Sequence, residues 1–445
     1  DKNIIKRYIY DETPNFLRPK VTTDIVLVKP GSVGEVSDIL KLANDELIPI
    51  YPRGGGTGLV GGSIPLKPGI VMSLERFDSI GIDANSMIAE VGAGVTLSKL
   101  MEEAERFNLF FPPRPGNEAA FVGGMIATNA GGARAVRTGV MRNYVLGLEV
   151  VTPTGEVLRL GGKTIKNNFG YNLMQLFIGS EGTLGVVTSA YLRLYPKPKE
   201  NALMIIPFND PIDAISAALN ILKNGVIPYL LEYSDRELIE RSSNYLGLKW
   251  PTDEGRAYLM VLISDISEDI VFSQLEAVNS IAENYTPLEP IVMTRSDEIL
   301  EALKIRGEIV NSLKGILIDA LDVSLPLGKL SDFMESLSRL ERKYNTWIPT
   351  CGHVGDGNLH PHITETKGWS ISDYERLRDE IYDLTISLDG VITGEHGIGA
   401  IRIKYLTRYM DKNQLILMAK LKKLLDPNNI LNPGKVIPPE YLENV

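Results

Sequence analysis

The chain has 445 residues, of which 44% are hydrophobic and 23% charged, and its formal net charge is −10. This length predicts two or three domains, and an acidic chain without a basic stretch argues against a nucleic-acid partner. The single cysteine, Cys351, excludes a disulfide framework and metal sites of the CxxC type. No apolar run approaches the roughly 18 residues of a membrane span, and the first residues lack a signal-peptide pattern. We therefore expect a cytoplasmic protein, with peripheral attachment at the inner face of the membrane as the alternative.

The first part of the chain predicts alternating strands and helices. An apolar strand, "DIVLVKP", is followed by a helix whose start is marked by a capping box of Ser32 and Glu35. The strand "LIPIYP" then leads into a glycine-rich loop. Two further strands, "GIVMSL" and "SMIAEVGAG", precede a helix from Thr96 to about Asn108 and a second glycine-rich zone at 115–132.

The rest of the chain begins with a hairpin over "VLGLEVVTPTGEVLRLGG", whose turn is Pro153-Thr154-Gly155. The strand "GTLGVVTSAYLRLYP" and the linker "PKPKEN" follow. Beyond residue 201, strands such as "ALMIIPF", "YLMVLIS" and "GILIDALDVSLP" alternate with amphipathic helices, which favours an α+β layer. These helices are predicted over 211–223, 268–285, 297–314 and 328–344. A last helix, "QLILMAKLKKLLDP", precedes the tail motif "NPGK".

The first glycine loop contains "GTGLVG" at 56–61, a match to GxGxxG, with Glu75 downstream where a dinucleotide fingerprint places its acidic residue. A Rossmann fingerprint requires a helix directly after the loop. Gly61, Gly62, Pro65 and Pro68 disfavour such a helix. The match is therefore interpreted as a consequence of glycine density, not as a site for NAD.

Glycines allow close backbone approach, so that successive N–H groups can form an anion-binding nest. The second zone, "RPGNEAAFVGGMIATNAGG", and a third, "GSEGTLGVVT" at 179–188, repeat this chemistry. Three such stretches predict a cradle around a long, phosphate-bearing cofactor. The alternative is a flexible surface loop.

All four histidines lie in the C-terminal quarter of the chain, in two glycine-rich motifs. "CGHVGDGNLHPH" is predicted to be a hairpin that brings His353 back towards His360, and His362 shares a strand face with His360. With a carboxylate from "GEHGIG", these imidazoles predict a metal site of the zinc or manganese type. Glu395 and His396 are neighbours that point in different directions, which suits one ligand and one base. The alternative is that the histidines only satisfy hydrogen bonds at tight turns.

Five motifs in this order, "PRGGGTGLVGG", "GGMIATNAGG", "GSEGTLGVVT", "CGHVGDGNLHPH" and "GEHGIG", resemble the FAD-linked oxidases of the vanillyl-alcohol oxidase superfamily. The similarity is strongest to the 2-hydroxy-acid branch, which includes D-lactate dehydrogenases, the flavin subunit of glycolate oxidase and D-2-hydroxyglutarate dehydrogenase. It covers roughly residues 20 to 440. It implies an α+β fold: a two-lobed PCMH-type FAD domain over 1–198, a ferredoxin-like cap domain with an antiparallel sheet over 199–408, and a segment, 409–445, that returns to the FAD domain.

By motif, the resemblance implies that the loop from Arg53 to Gly58 wraps the FAD pyrophosphate, that residues 181–187 follow its adenosine side and that Asn432 approaches the flavin ring. Some members attach FAD covalently through a histidine in the glycine loop. Thr57 stands at that place, so we expect non-covalent FAD. The implied cofactor residues are Pro52, Arg53, Gly54, Gly55, Gly56, Thr57, Gly58, Gly116, Gly123, Gly124, Ile126, Thr128, Asn129, Gly132, Glu181, Gly182, Gly185, Val187 and Asn432.

The resemblance also implies roles for the histidine motifs. His353, His360 and Glu395 match the metal ligands of the branch, and His396 matches the base that removes the hydroxyl proton. His362 stands where the 2-hydroxyglutarate enzyme has Asn, and we interpret it as an added ligand or a substrate contact.

The substrate carboxylate needs a cationic partner, and Arg306 matches the residue that binds it in the branch; the alternative for an Arg on an amphipathic helix is a solvated charge. Ala320 replaces a Lys that contacts substrate in the 2-hydroxyglutarate enzymes. This departure favours a small monocarboxylate over a dicarboxylate.

The sequence therefore predicts an FAD-dependent dehydrogenase that oxidises D-lactate or glycolate with a divalent metal, a His base and hydride transfer to flavin N5. One alternative is a flavin subunit within a larger electron-transfer complex. Others are an alkylglycerone-phosphate synthase, disfavoured because "GEH" replaces its run of histidines, and a flavin-free metal hydrolase, which leaves the glycine zones unexplained. The electron acceptor stays open between a quinone, an electron-transfer flavoprotein and a partner subunit, and a homodimer is an open alternative to the monomer.

Overall fold

A computed structural model describes residues 2–444 of the chain. The chain divides into two compact units. Unit 1 comprises Asp1–Gly131, Val140–Lys197 and Glu395–Val445, and unit 2 comprises Gly132–Gly139 and Pro198–Gly394. Contact units need not coincide with domains, so the domain boundaries after residues 198 and 408 stay predictions.

The helices of the described residues differ widely in length. They are α1 (Lys2–Lys6), α2 (Val33–Asp45), α3 (Leu97–Glu105), α4 (Val122–Thr128), α5 (Ala135–Thr138), α6 (Met174–Phe177), α7 (Pro211–Lys223), α8 (Arg236–Leu246), α9 (Glu268–Ala282), α10 (Ser296–Gly307), α11 (Ile309–Ser312), α12 (Leu330–Tyr344), α13 (Ile371–Ser387), α14 (Ile403–Tyr409), α15 (Lys412–Leu425) and α16 (Pro439–Leu442).

The strands are mostly short, with the longest ones in unit 2. They are β1 (Ile25–Val28), β2 (Ile50–Arg53), β3 (Gly69–Ser73), β4 (Ile80–Asp83), β5 (Ile88–Gly92), β6 (Leu109–Phe110), β7 (Val145–Val151), β8 (Val157–Gly161), β9 (Val186–Arg193), β10 (Tyr195–Pro196), β11 (Glu200–Phe208), β12 (Leu230–Asp235), β13 (Ala257–Asp265), β14 (Ile291–Met293), β15 (Leu317–Ala320), β16 (Val323–Ser324), β17 (Thr350–His353) and β18 (Asn358–Thr364).

Unit 1 contains a parallel sheet in the order β1-β3-β2 and an antiparallel sheet in the order β4-β5-β9-β7-β8. Ser32 caps helix α2, and its hydroxyl accepts the N–H of Glu35. The Glu35 carboxylate accepts the N–H of Gly31, whereas in a standard capping box it would accept the N–H of Ser32 itself. Helix α4 packs on β5 and β9 and helps to enclose the apolar core of this unit.

Unit 2 contains an eight-stranded sheet in the order β14-β11-β13-β12-β17-β18-β15, with β16 also paired to β18. The pairs are antiparallel, and β11, α7, β12, β13, α9 and β14 follow the β-α-β-β-α-β succession of a ferredoxin-like fold, with α8 inserted between β12 and β13. The predicted α+β class and antiparallel cap sheet are confirmed. Strand β13 is buried along its length except at its last residue, Asp265, and α7 and α9 pack on it.

Several helix predictions needed correction. The helix expected over 297–314 is interrupted at Glu308, giving α10 and α11. Helix α4 lies inside the second glycine zone, for which no helix was predicted. Helices α8 and α13 were also not predicted from the sequence. The predicted absence of a helix directly after the first glycine loop is confirmed, because the described residues 54–68 continue without one into β3.

Candidate active site

The sheet of unit 2 places Glu232, His353 and His360 on one face. Tyr233 pairs with Gly352, so Glu232 lies opposite His353 on the adjoining strand. His360 pairs with Cys351 on β17, two residues before His353, which makes the two histidines diagonal neighbours. Their ring centroids are 5.3 Å apart with the rings at 87°. The predicted approach of His353 to His360 is confirmed.

The Glu232 side chain is a buried carboxylate that contacts two functional groups. Its Oε1 lies 2.5 Å from His353 Nδ1, and its Oε2 lies 2.7 Å from Arg306 Nη2. The side chain of Glu232 is 1% exposed and that of Arg306 is 14% exposed. Arg306 on α10 is therefore part of a buried charge cluster.

His360 is oriented in a similar way. Its Nδ1 lies 3.3 Å from the carbonyl oxygen of Leu321 and 3.8 Å from Asp322 Oδ1. Because both His353 and His360 donate through Nδ1, each presents Nε2 as the nitrogen with the lone pair that binds a metal. Ligand atoms of the two histidines lie within 4.8 Å of each other. These two imidazole nitrogens fit two of the four ligand positions of a borderline metal such as Zn²⁺.

Asp322, near His360, forms hydrogen bonds with residues of two other chain segments. Its carboxylate accepts from Asn358 Nδ2 at 2.9 Å and from Thr393 Oγ1 at 2.8 Å, and it is fully buried. The Gly394 N–H donates to the Asp322 carbonyl oxygen at 2.9 Å. A Cβ at Gly394 would lie 2.5 Å from Asn358 Nδ2, so a side chain here would displace the amide that binds Asp322. The chain therefore leaves unit 2 at a fixed point beside β16.

Glu395 and His396 follow directly and belong to unit 1. Glu395 Oε1 lies 4.0 Å from His396 Nε2. A Cβ at Gly131 would meet Glu395 Oε2 at 3.1 Å, so the end of the second glycine zone lies against this carboxylate. The next turn is held by Glu181, whose two carboxylate oxygens accept the N–H groups of Ile398 and Gly399, both at 2.7 Å.

In unit 1 the first glycine loop follows β2 and folds over Arg53. The Arg53 guanidinium is buried and donates to Ser63 Oγ at 3.2 Å and to the Arg7 carbonyl oxygen at 3.1 Å. Gly56 has φ +74, and a Cβ there would lie 2.1 Å from Arg53 Nη2. Burial lowers the Arg53 pKa below its ordinary value, while Asp11 opposes the shift. A cation thus lies directly beneath the loop.

The tail motif closes the other side of this loop. Asn432 Nδ2 donates to the carbonyl oxygens of Gly62 at 3.0 Å and of Glu181 at 2.9 Å. Lys435 Nζ donates to the carbonyl oxygens of Gly61 and Ile64 at 2.7 and 2.6 Å. Burial lowers the pKa of Lys435 to about 7. The tail and the glycine loop therefore form one hydrogen-bonded structure.

Comparison with known proteins identifies this arrangement. The profile of the C-terminal domain of FAD-linked oxidases matches residues 197–436, more than half of the chain, and the profile of an FAD-binding domain matches residues 25–161. The chain belongs to the FAD-linked oxidases.

Two relatives of this FAD-linked oxidase cover nearly its whole length. A D-lactate dehydrogenase of Archaeoglobus fulgidus is 41% identical over 430 residues, which span 97% of this chain and 95% of that protein. The glycolate oxidase subunit GlcD of Bacillus subtilis is 33% identical over 436 residues, which span 96% of this chain and 91% of that protein. The oxidase is thus an FAD-dependent oxidoreductase of the D-lactate dehydrogenase and glycolate oxidase type.

Solved structures share the fold of this oxidase. A 4-ethylphenol oxidase from Gulosibacter chungangensis, in complex with isoeugenol, matches with a TM-score of 0.77 at 17% identity, over 99% of this chain and 94% of that one. In the described part of the oxidase, none of the helices combines the length and the apolar character that a membrane crossing requires.

Unit 1 of the oxidase fits the phosphate groups of FAD. Among the described residues, the N–H groups of Gly55, Gly56 and Thr57 donate to no main-chain or side-chain acceptor. A Cβ added at Gly58, Gly116 or Gly124 would meet nothing within 4 Å. Main-chain donors without an acceptor, in a loop that covers a buried arginine, are suited to an anion, and the bare glycine surfaces leave room for a cofactor against the backbone.

Other residues expected to line the cofactor of the oxidase lie in the framework around this loop. Thr128 Oγ1 donates to the Gly124 carbonyl oxygen at 3.0 Å, and Asn129 Oδ1 accepts the Arg142 N–H at 2.9 Å. A Cβ at Gly123 would lie 2.7 Å from Ala93 Cβ, and one at Gly182 would lie 3.6 Å from Pro52 Cγ.

Four more of these residues lie away from the loop backbone. Ile126 and Val187 are core residues of unit 1, and a Cβ at Gly185 would lie 2.5 Å from Val150 Cγ1. Gly132 belongs to the segment that clusters with unit 2. The cofactor roles of all these residues stay predictions.

The site of the oxidase also contains residues that the sequence interpretation missed. Glu232 and Asp322 were not singled out, although each is a carboxylate set among apolar residues, a pattern that indicates a buried, partnered acid. His362 was singled out, and it is fully buried, pairs with Ala320 and donates through Nδ1 to the Pro349 carbonyl oxygen at 3.0 Å.

Proposed function

We propose that this FAD-linked oxidase is a dehydrogenase that converts a small 2-hydroxy acid, D-lactate or glycolate, to the 2-oxo acid. The observation that carries the proposal is the cluster in unit 2, where the buried Arg306 guanidinium and the rings of His353 and His360 lie together. A guanidinium beside potential metal ligands suits a substrate with a carboxylate next to a hydroxyl. The relatives named D-lactate dehydrogenase and glycolate oxidase support this substrate class.

In this proposal Arg306 binds the substrate carboxylate through its planar donor fork. Ala320, on the same sheet, stands where the 2-hydroxyglutarate enzymes have a lysine, so a second carboxylate has no lysine partner at that place. His362, which pairs with Ala320, is a further candidate for contact with the substrate. A small monocarboxylate therefore fits better than a dicarboxylate.

His353, His360 and Glu395 are the proposed ligands of a divalent metal of the Zn or Mn type. Glu395 directly follows Gly394, whose N–H donates to the Asp322 carbonyl oxygen. When bound, such a metal supplies Lewis-acid chemistry that lowers the pKa of a hydroxyl group.

His396 is the proposed base that accepts the C2 hydroxyl proton. FAD, when bound, supplies the acceptor for the C2 hydrogen with its electron pair. The loop from Arg53 to Gly58 and the second glycine zone are proposed to hold FAD without a covalent bond, because Thr57 replaces the histidine used for attachment in some relatives. Yellow colour that stayed with acid-precipitated protein would contradict non-covalent binding.

One experiment tests the function as a whole. The purified holoprotein is mixed anaerobically with D-lactate, L-lactate, glycolate and D-2-hydroxyglutarate, and the loss of flavin absorbance is followed, with metal analysis on the same sample. We expect rapid bleaching by D-lactate or glycolate and slow bleaching by 2-hydroxyglutarate. Absence of bleaching by every 2-hydroxy acid would contradict the proposal.

A second candidate function is that of a flavin subunit in a larger electron-transfer complex, since the Bacillus subtilis relative is named a subunit. It predicts that the native protein elutes in size exclusion with other chains and that turnover with artificial acceptors is low without them. Full activity of the isolated chain would exclude it.

A further inference from the structure

Glu232 is a buried acid within strand β12, whose other acid, Asp235, stands at the end of the strand. Its neighbours Leu231 and Tyr233 are fully buried and point to the opposite face of the sheet. A buried carboxylate costs several kcal/mol in desolvation unless both oxygens are well partnered. Here each oxygen has a different partner, His353 on one side and Arg306 on the other.

These two partners have different proposed tasks. His353 is proposed to bind the metal, and Arg306 is proposed to bind the substrate carboxylate. His353 is 121 residues from Glu232 in sequence and lies on an adjoining strand, whereas Arg306 lies on helix α10. A single carboxylate thus connects strand β17 and helix α10.

We propose that Glu232 is a positioning residue that holds the metal-binding ring of His353 and the carboxylate-binding fork of Arg306 at a fixed separation. This inference rests on the proposed function. It assigns Glu232 no contact with substrate and no proton transfer.

The hydrogen bond to Nδ1 fixes the tautomer and the rotation of the His353 ring. A carboxylate partner also makes the other ring nitrogen a better ligand, and removal of such partners typically weakens metal binding about 10–100-fold.

The ion pair with Arg306 restrains a long side chain. A free arginine loses rotamer entropy when it binds a ligand, and an arginine already held at one edge of its fork loses less. Glu232 therefore improves substrate binding by preorganisation and not by direct attraction, since its own charge repels a carboxylate.

The test uses two variants of the FAD-containing protein after chelator treatment. Glu232→Leu removes both contacts, whereas Glu232→Gln keeps an amide oxygen for the His353 N–H and loses the charge that holds Arg306. Asp319→Asn is the matched control, because Asp319 is a buried acid of the same sheet that pairs with Arg378 at 3.4 Å. Calorimetry measures the binding of Zn²⁺, of Mn²⁺ and of pyruvate, each alone.

We expect Glu232→Leu to weaken metal binding about 10–100-fold and Glu232→Gln to weaken it clearly less, while both variants weaken pyruvate binding to a similar extent. Asp319→Asn should bind metal and pyruvate within about twofold of wild type. The Asp319–Arg378 pair is independent of Glu232, and mutations at independent positions do not couple. FAD content and unfolding temperature identify a variant that fails to fold.

The inference is overturned if Glu232→Leu, with normal FAD content, binds metal and pyruvate within twofold of wild type. If Glu232→Leu does not fold, unchanged pyruvate binding by Glu232→Gln overturns it. Failure of the proposed function has a different signature, since the wild-type protein itself would then bind no metal or would not be bleached by any 2-hydroxy acid.

Discussion

Lys435 Nζ donates to the carbonyl oxygen of Gly61 at 2.7 Å, and it also reaches the carbonyl oxygen of Ile64. This side chain joins the C-terminal tail to the far end of the first glycine loop. Its position explains why the tail motif "NPGK", at the other end of the sequence, belongs to the cofactor-binding unit.

The first prediction concerns this link. Lys435→Met removes the ammonium donor of two buried carbonyl oxygens, so we expect the free energy of unfolding to fall by about 1–3 kcal/mol and FAD to bind more weakly. Chemical denaturation and FAD titration measure both effects. Lys420→Met, an exposed change on α15, is the control and should stay within about 0.5 kcal/mol of wild type. Equal behaviour of the two variants would contradict the prediction.

The second prediction concerns pH and Asp235, at the end of β12. Its carboxylate accepts from Tyr233 Oη and from the Thr350 N–H, and burial raises its pKa from 3.8 to about 7. The folded state therefore keeps a proton that the unfolded state loses near pH 4, so this group lowers stability as the pH rises from about 4 to about 7.

Asp235→Asn removes this titration. We expect its unfolding free energy, minus that of wild type, to increase with pH across this window and to level off above about pH 7. Denaturant titrations at intervals between pH 4 and 8 measure the difference. A difference that stays constant over the window would show that Asp235 titrates normally.

The third prediction tests the cofactor surface. Gly124 lies within α4, and a side chain there would enter open space, so Gly124→Leu should leave the fold intact while it occupies the surface proposed for FAD. We expect purified Gly124→Leu to contain little FAD and to keep its circular dichroism spectrum. Gly81→Leu, on the edge strand β4 with equally open surroundings, should keep its FAD. Normal FAD content in Gly124→Leu would place the cofactor elsewhere.

The fourth prediction tests the proposed base. His396→Ala should slow anaerobic flavin reduction by substrate about 10²–10⁴-fold, because proton acceptance from the hydroxyl is lost. Reduction by dithionite needs no such base and serves as the control. Partial rescue by added imidazole would support the assignment, and bleaching at near wild-type speed would refute it.

The fifth prediction tests the proposed carboxylate binder. Arg306→Lys keeps the charge but loses the planar fork, so we expect KM for the 2-hydroxy acid to rise roughly 10–100-fold, which corresponds to about 1.5–3 kcal/mol. Arg295→Lys, in an exposed ion pair at the start of the same helix, is the control and should change KM little. Steady-state kinetics measure KM for both variants. Equal KM values for Arg306→Lys and Arg295→Lys would contradict the role of Arg306 in binding the substrate carboxylate.

Local signals predicted much of the fold. The boundaries of α7 at Pro211–Lys223 and the hairpin of β7 and β8 follow from caps, periodicity and turn residues. Helix α4 was missed because two glycines lower its helix propensity. Its stability comes from tertiary packing, with Gly123 against Ala93.

The site was predictable where motifs were continuous, as in the approach of His353 to His360 across one hairpin. Glu232 was not predictable in this way, because its contact with His353 joins residues 121 positions apart and depends on the pairing of β12 with β17. The same holds for Glu181, whose bonds to Ile398 and Gly399 follow from the return of the chain to unit 1.

The division of unit 1 among three sequence segments affects how the protein can be made. Ribosomes add about 5–20 residues per second, so the stretch from Pro198 to Gly394 delays the segment from Glu395 onward by about 10–40 seconds. During that interval the first glycine loop lacks Asn432 and Lys435, and β2 lacks the N–H of Asn432 that binds Ile50. Nascent chains arrested before residue 395 should therefore retain no FAD, and loading of the cofactor becomes a late step of biosynthesis.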